Sequence, residues 1–177
     1  MIGNAIVISD SNILIDLLTI NLIEEFCLLP VSKYTSQFVV QEIKEPIEQE
    51  ILRSFLDKKQ IIEQEFEFEE LVSINELNKR DGCSSLSFTD CSVWYLSKKL
   101  GGLLLTGDRQ LRLIAESDKI RVSGILFIFD KLIEHGIITS FTASQKLKLL
   151  MSQNQRLPLN ECNKRLTQWN TDNYREH

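Results

Sequence analysis

Two rhythms of apolar and polar positions run along this chain. Short continuous apolar runs at residues 5–8 (AIVI) and 103–106 (LLLT) have the pattern of strands buried on both faces. Shorter strand candidates lie at 33–36 (KYTS), 60–64 and 120–123. Between them, apolar residues recur at helical spacing. Helices are predicted over 13–26 (ILIDLLTINLIEEF), 38–43 with Ser36 as a cap, and 47–59 after Pro46. The segment 66–80 carries Phe68, Leu71, Val72, Ile74 and Leu77 near helical spacing, and Asp81-Gly82 is a turn signal. Ser87-Phe88-Thr89-Asp90 reads as a capping box opening the helix CSVWYLSKKL, which stops at Gly101-Gly102. Further helices are predicted over 109–117 and 126–136, with Gly136 as a stop, then over 142–153 and 158–169, with Pro158 at a helix start.

Strands alternating with helices over the first 125 or so residues argue a parallel α/β sheet with right-handed crossovers. From about residue 140 the pattern is wholly helical. A division into a sheet-bearing domain over 1–140 and a helical C-terminal extension over 141–177 follows. The 177 residues suit one globular domain with a short appendage.

Composition narrows the chemistry. There are two histidines, His135 and His177, so a histidine-rich metal site is nearly excluded and carboxylates must carry any catalysis. The formal charge of −5 disfavours a protein wrapped uniformly in nucleic acid but leaves room for a local basic patch. Residues 41–81 hold 12 acidic and 6 basic residues, a surface that repels RNA. Cys27, Cys83, Cys91 and Cys162 form no C-x-x-C pair, against a zinc knuckle or redox motif. With no signal-peptide pattern and no membrane-length apolar run, a soluble cytoplasmic protein is expected.

Ligands of open α/β sheets bind beyond the carboxyl ends of the strands. Asp10 follows the first strand and Asp108 follows LLLT. Asp90 lies in the first turn of one helix, and Glu42 is read into the first turns of another. Four such acids gathered at one sheet edge would repel one another and require a cation. Carboxylate ligands suit Mg²⁺ or Mn²⁺, and such a site is suited to phosphodiester hydrolysis. Each acid also has a plainer reading. Asp90 and Asp108 serve as helix-start acids, and Glu42 lies in a glutamate-rich, solvated stretch.

The segments IVISDSNILIDLL, SQFVVQEI, LSFTDCSVWYLSKKLGGLLLTGDRQLRLIAE and IRVSGILFIFDKLIEHGII resemble the PIN-domain nucleases, especially the toxin-type, VapC-like members. The likeness covers residues 1 to about 140, and the tail RLPLNECNKRLTQW is similar to a helical extension on some PIN-like proteins. The resemblance implies a three-layer fold, with a central parallel sheet of about five short strands between helices. It also implies a metal-dependent endoribonuclease leaving a 5′-phosphate and 3′-hydroxyl. Asp10, Glu42, Asp90 and Asp108 would then be the acidic quartet that binds Mg²⁺ or Mn²⁺. Asn12 and Thr106 match polar positions that orient those acids, although Asn12 also reads as a helix cap. Family members often form homodimers, and toxin-type members are inhibited by an antitoxin inserted into the active groove.

Lys98, Lys99, Arg109 and Arg112 flank the acids in sequence and are candidates for phosphate contact or a solvated face. Trp94 and Tyr95 read as core rather than base-stacking platforms. Two other function classes stand beside the nuclease. One is a non-catalytic PIN-like module that binds RNA or a partner protein. The other is a phosphoryl-transfer protein with Asp10 as nucleophile, which the asparagine at position 12 argues against. No G-x-G-x-x-G follows the first strand, which argues against a dinucleotide site.

Overall fold

In the computed structural model, which describes residues 5–80 and 82–173, the β-branched run forms strand β1 (Ile6–Ser9) at the centre of a five-stranded sheet. The other strands are β2 (Ser32–Ser36), β3 (Ile62–Gln64), β4 (Leu103–Leu105) and β5 (Val122–Ser123). Every pairing is parallel, in the order β3-β2-β1-β4-β5. Central position explains the sequence: Val7 and Ile8 point to opposite faces and both are buried. Gly102 lets β4 approach β1, since a Cβ there would lie 2.3 Å from Ile8 Cδ1.

Helices α1 (Ser11–Thr19) and α2 (Ile23–Leu28) follow β1. The single helix expected over 13–26 is therefore two. Asn21 sits at φ 51°, in the left-handed region that asparagine tolerates, and Leu22 turns inward to complete the core. After β2 come α3 (Gln37–Glu42) and α4 (Pro46–Asp57). Ser36 caps α3 by accepting from Val39 N at 3.2 Å. Then α5 (Phe68–Asn78) and α6 (Phe88–Leu100) return the chain across the sheet to β4. Helix α7 (Arg109–Ser117) joins β4 to β5. With right-handed crossovers, α1, α2 and α4 cover one face and α5, α6 and α7 the other. Of the expected turn at 81–82, Gly82 has φ +79°; Asp81 and His177 lie outside the described residues.

Trp94 is fully buried in α6, under the Arg80 guanidinium at 5.2 Å from its ring centroid. Half-buried Tyr95 meets Phe66 edge-on and donates to Glu70 at 3.3 Å. Both side chains are core and support, as the apolar pattern indicates.

Helices α8 (Ile125–Glu134), α9 (Ser140–Gln153) and α10 (Leu159–Asn173) complete the chain. Trp169 packs on Phe129 with ring centroids 5.8 Å apart. Arg165 forks onto Asp130, with Nη2 at 2.7 Å and Nε at 3.0 Å. Lys146 Nζ caps the end of α1 through the Ile20 carbonyl at 2.7 Å. Cys27, Cys91 and Cys162 are free thiols. No helix among the described residues is long and apolar enough to cross a membrane.

Candidate active site

The register Ser9↔Leu105 brings the ends of β1 and β4 to one level, and Asp10 N continues the ladder to the Leu105 carbonyl at 3.0 Å. Asp10 and Thr106 thereby emerge side by side. Asp10 is 1% exposed and its carboxylate is held from three directions. Ser11 N donates to Oδ1 at 2.7 Å, while Asn12 Nδ2 at 2.7 Å and Thr106 Oγ1 at 2.6 Å donate to Oδ2.

The same two polar residues reach the next acid. Thr106 Oγ1 accepts from Asp108 N at 3.0 Å, and Asn12 Oδ1 accepts from Gly107 N at 2.7 Å. Asp108 caps α7, its Oδ1 accepting from Leu111 N at 2.7 Å. A Cβ at Gly107 would come within 3.1 Å of Asn12 Oδ1, so a larger residue there would press on the Asn12 amide. The T-G-D sequence is thus a turn fastened to the start of α1.

Asp90 enters from α6. Its Oδ2 accepts from Ser87 N at 2.7 Å and Ser87 Oγ at 2.9 Å, closing the capping box. Asp90 Oδ1 and Asp108 Oδ2 have no hydrogen bond among the described residues. Asp10, Asp90 and Asp108 line one cleft of about 1180 Å³.

Burial pushes the Asp10 carboxyl up to about 6, reinforced by the negative charges of Asp90 and Glu42 and opposed by the Thr106 and Ser11 hydrogen bonds. Burial also raises Asp90, with Asp108 and Glu42 adding to the shift against the Ser87 hydrogen bonds. Asp10 and Asp90 therefore both lie within the electrostatic reach of neighbouring acids.

Glu42 stands differently from the other three. It is the last residue of the six-residue α3, and its exposed side chain is outside the cleft lining. Among the described residues, no three His, Cys, Asp or Glu side chains converge closely enough to hold a metal ion. The donor chemistry nonetheless fits a hard cation. The acids supply oxygen only, and among the described residues two retain an oxygen without a hydrogen bond and the buried Asp10 has no cationic partner.

The four basic candidates divide. Lys98 and Lys99 lie in the last turn of α6, about 12 Å along the helix from Asp90. Lys99 Nζ bonds Glu70 Oε1 at 2.7 Å, and Lys98 Nζ is 3.5 Å from Asp118. Neither lines the cleft, whereas Arg109 and Arg112 do. Arg112 is committed to the sheet end, donating to the Thr106 and Val122 carbonyls at 3.3 Å each. Arg109 is exposed, with no hydrogen bond or ion pair among the described residues.

Asp16, Asn154 and Arg156 also line this cleft, although no motif or periodicity links them. Asp16 and Asn154 are 138 residues apart, and only the docking of α9 and α10 on the sheet domain joins them.

A family model described as a PIN domain matches residues 6–171. The match runs into α10 and includes every candidate residue above. No curated protein matches the chain.

Proposed function

Because the chain belongs to the PIN-domain family, whose members are generally nucleases, we propose that it is a Mg²⁺- or Mn²⁺-dependent endoribonuclease. The observation that carries this reading is the convergence of Asp10, Asp90 and Asp108 on one cleft, at the edge where parallel sheets bind ligands. These three aspartates would hold the divalent ion, with Glu42 reaching it directly or through a water. When bound, the ion lowers the pKa of water and offsets charge on a phosphodiester.

The chain's own groups do the positioning. Asn12 and Thr106 fix the Asp10 carboxylate, and the same Thr106 hydroxyl holds the Asp108 backbone. Burial of Asp10 strengthens every electrostatic interaction it makes. Arg109, at the first position of α7 beside Asp108, would meet a phosphate.

The test is hydrolysis of pooled RNA with Mn²⁺ by wild type, Asp10→Asn and Asp108→Asn. Activity in wild type alone supports the mechanism; equal residual activity in all three sinks it. The competing reading is a non-catalytic PIN-like module that binds RNA or a partner protein. In its favour is the lack of three acids at ligating distance among the described residues. Mn²⁺ calorimetry separates the two, since a scaffold has no need to bind the ion. The toxin reading, with an antitoxin as partner, predicts a small DNA-binding protein in the neighbouring reading frame. A homodimer predicts twice the monomer mass in sedimentation.

A further inference from the structure

The cleft has a second wall, built by the turn between α9 and α10. This turn is pinned on both sides of Arg156. Asn154 Nδ2 donates to both Asp16 carboxylate oxygens at 3.1 Å, and Asn154 Oδ1 accepts from Arg156 N at 3.0 Å. One residue later, Leu157 is buried. The single Asn154 amide therefore couples α1 to the backbone that carries Arg156.

The Arg156 side chain is exposed and lines the cleft. Its guanidinium makes no hydrogen bond or ion pair among the described residues. Asp16 does not hold it in an ion pair, and both Asp16 oxygens already accept from Asn154. The other arginine of this wall, Arg165, is taken up by Asp130 and Glu161. A fixed backbone thus presents a guanidinium that feels the Asp16 charge without closing an ion pair, in the same cleft as the three aspartates.

A polyanion entering the cleft meets repulsion from Asp10, Asp90 and Asp108 and needs compensating cations along its path. Guanidinium suits that task, since its planar fork matches two phosphate oxygens and it stays charged at every working pH. We propose that the α9–α10 turn is a substrate-binding wall, with Arg156 gripping a backbone phosphate of the RNA away from the acidic end. The proposal rests on the nuclease reading for the identity of the ligand.

The experiment titrates full-length wild type, Arg156→Ala, Arg156→Lys and Lys58→Ala against a fluorescein-labelled mixed-sequence RNA oligonucleotide. Binding is read by anisotropy in Ca²⁺ buffer over a range of salt concentrations. Lys58 caps the far end of α4 and controls for loss of a surface charge. Arg156→Ala should weaken binding about tenfold and lower the slope of log Kd against log salt by about one. Arg156→Lys should restore the slope, and Lys58→Ala should change neither quantity. An Arg156→Ala curve matching Lys58→Ala in affinity and slope overturns the proposal, as does a wild type that binds no RNA. Cleavage with Mn²⁺ is assayed separately. Wild type that binds RNA without cutting it overturns the nuclease reading, while the binding curves still decide the role of Arg156.

Discussion

Thr106 donates its hydroxyl to Asp10 at 2.6 Å and with the same oxygen accepts the Asp108 amide at 3.0 Å. One buried side chain thus sets the spacing of two acids that are 98 residues apart in the chain. Thr106→Val keeps the shape and removes both bonds. It should weaken Mn²⁺ binding about 10- to 100-fold without unfolding the protein. Thr106→Ser should stay within a few-fold of wild type. Calorimetric titration with Mn²⁺ checks both, and an unchanged affinity in the valine variant would show that Asp10 holds its place without the hydroxyl.

Asp90 has two tasks that mutation can separate. As the third residue of α6 it closes the capping box, and its other oxygen faces the cleft unbonded. Ser87→Ala removes the cap and should cost about 1 kcal/mol in urea denaturation while retaining most activity. Asp90→Asn should lower RNA hydrolysis about a hundredfold or more. Similar losses of activity in the two variants would mean that Asp90 serves the helix alone.

Stability of the metal-free protein should fall as pH rises through about 6. Burial raises both Asp10 and Asp16 from 3.8 to about 6. The folded state therefore holds protons that the unfolded chain releases between those values, and their contribution is fully present below the window and lost above it. Glu70, Asp118, Glu134 and Glu161 are lowered by their cationic partners and act below the ordinary carboxylate range. Urea denaturation from about pH 5 to about pH 7 should show a loss on the order of 1–3 kcal/mol. Asp16→Asn should reduce that loss, and a rise across the same interval contradicts the assignment.

Divalent ion should reverse the neutral-pH penalty. At about 100 times its Kd, Mn²⁺ should stabilise the folded state by about 2.7 kcal/mol, read as an increase in Tm. Asp10→Asn should abolish most of the increase. An equal shift in both proteins would locate the ion elsewhere.

The alternation of buried strands and amphipathic helices made the sheet legible, because each run obeys one period over several residues. The break at Asn21 was not legible. Its neighbours continue the apolar pattern, and a left-handed asparagine leaves no mark on that period. The strand-end acids were legible from position alone, since Asp10 and Asp108 follow apolar runs directly. Lys98 and Lys99 are close to Asp90 in sequence yet about 12 Å from it along the helix, a separation that adjacency in the chain does not show. Arg156 was invisible for the converse reason, as no periodicity relates the α9–α10 turn to α1.

The Asn154–Asp16 link also sets an order of events during synthesis. Every acid proposed for the ion is translated by residue 108, and the central sheet is complete once β5 has emerged. The turn that walls the cleft is made afterwards, and it closes only when α9 and α10 fold back onto α1. A ribosome-bound chain that has released the sheet but still holds α10 therefore carries its acidic centre before its substrate wall. Such a nascent chain would hold the proposed ion site before the proposed RNA contact at Arg156 exists.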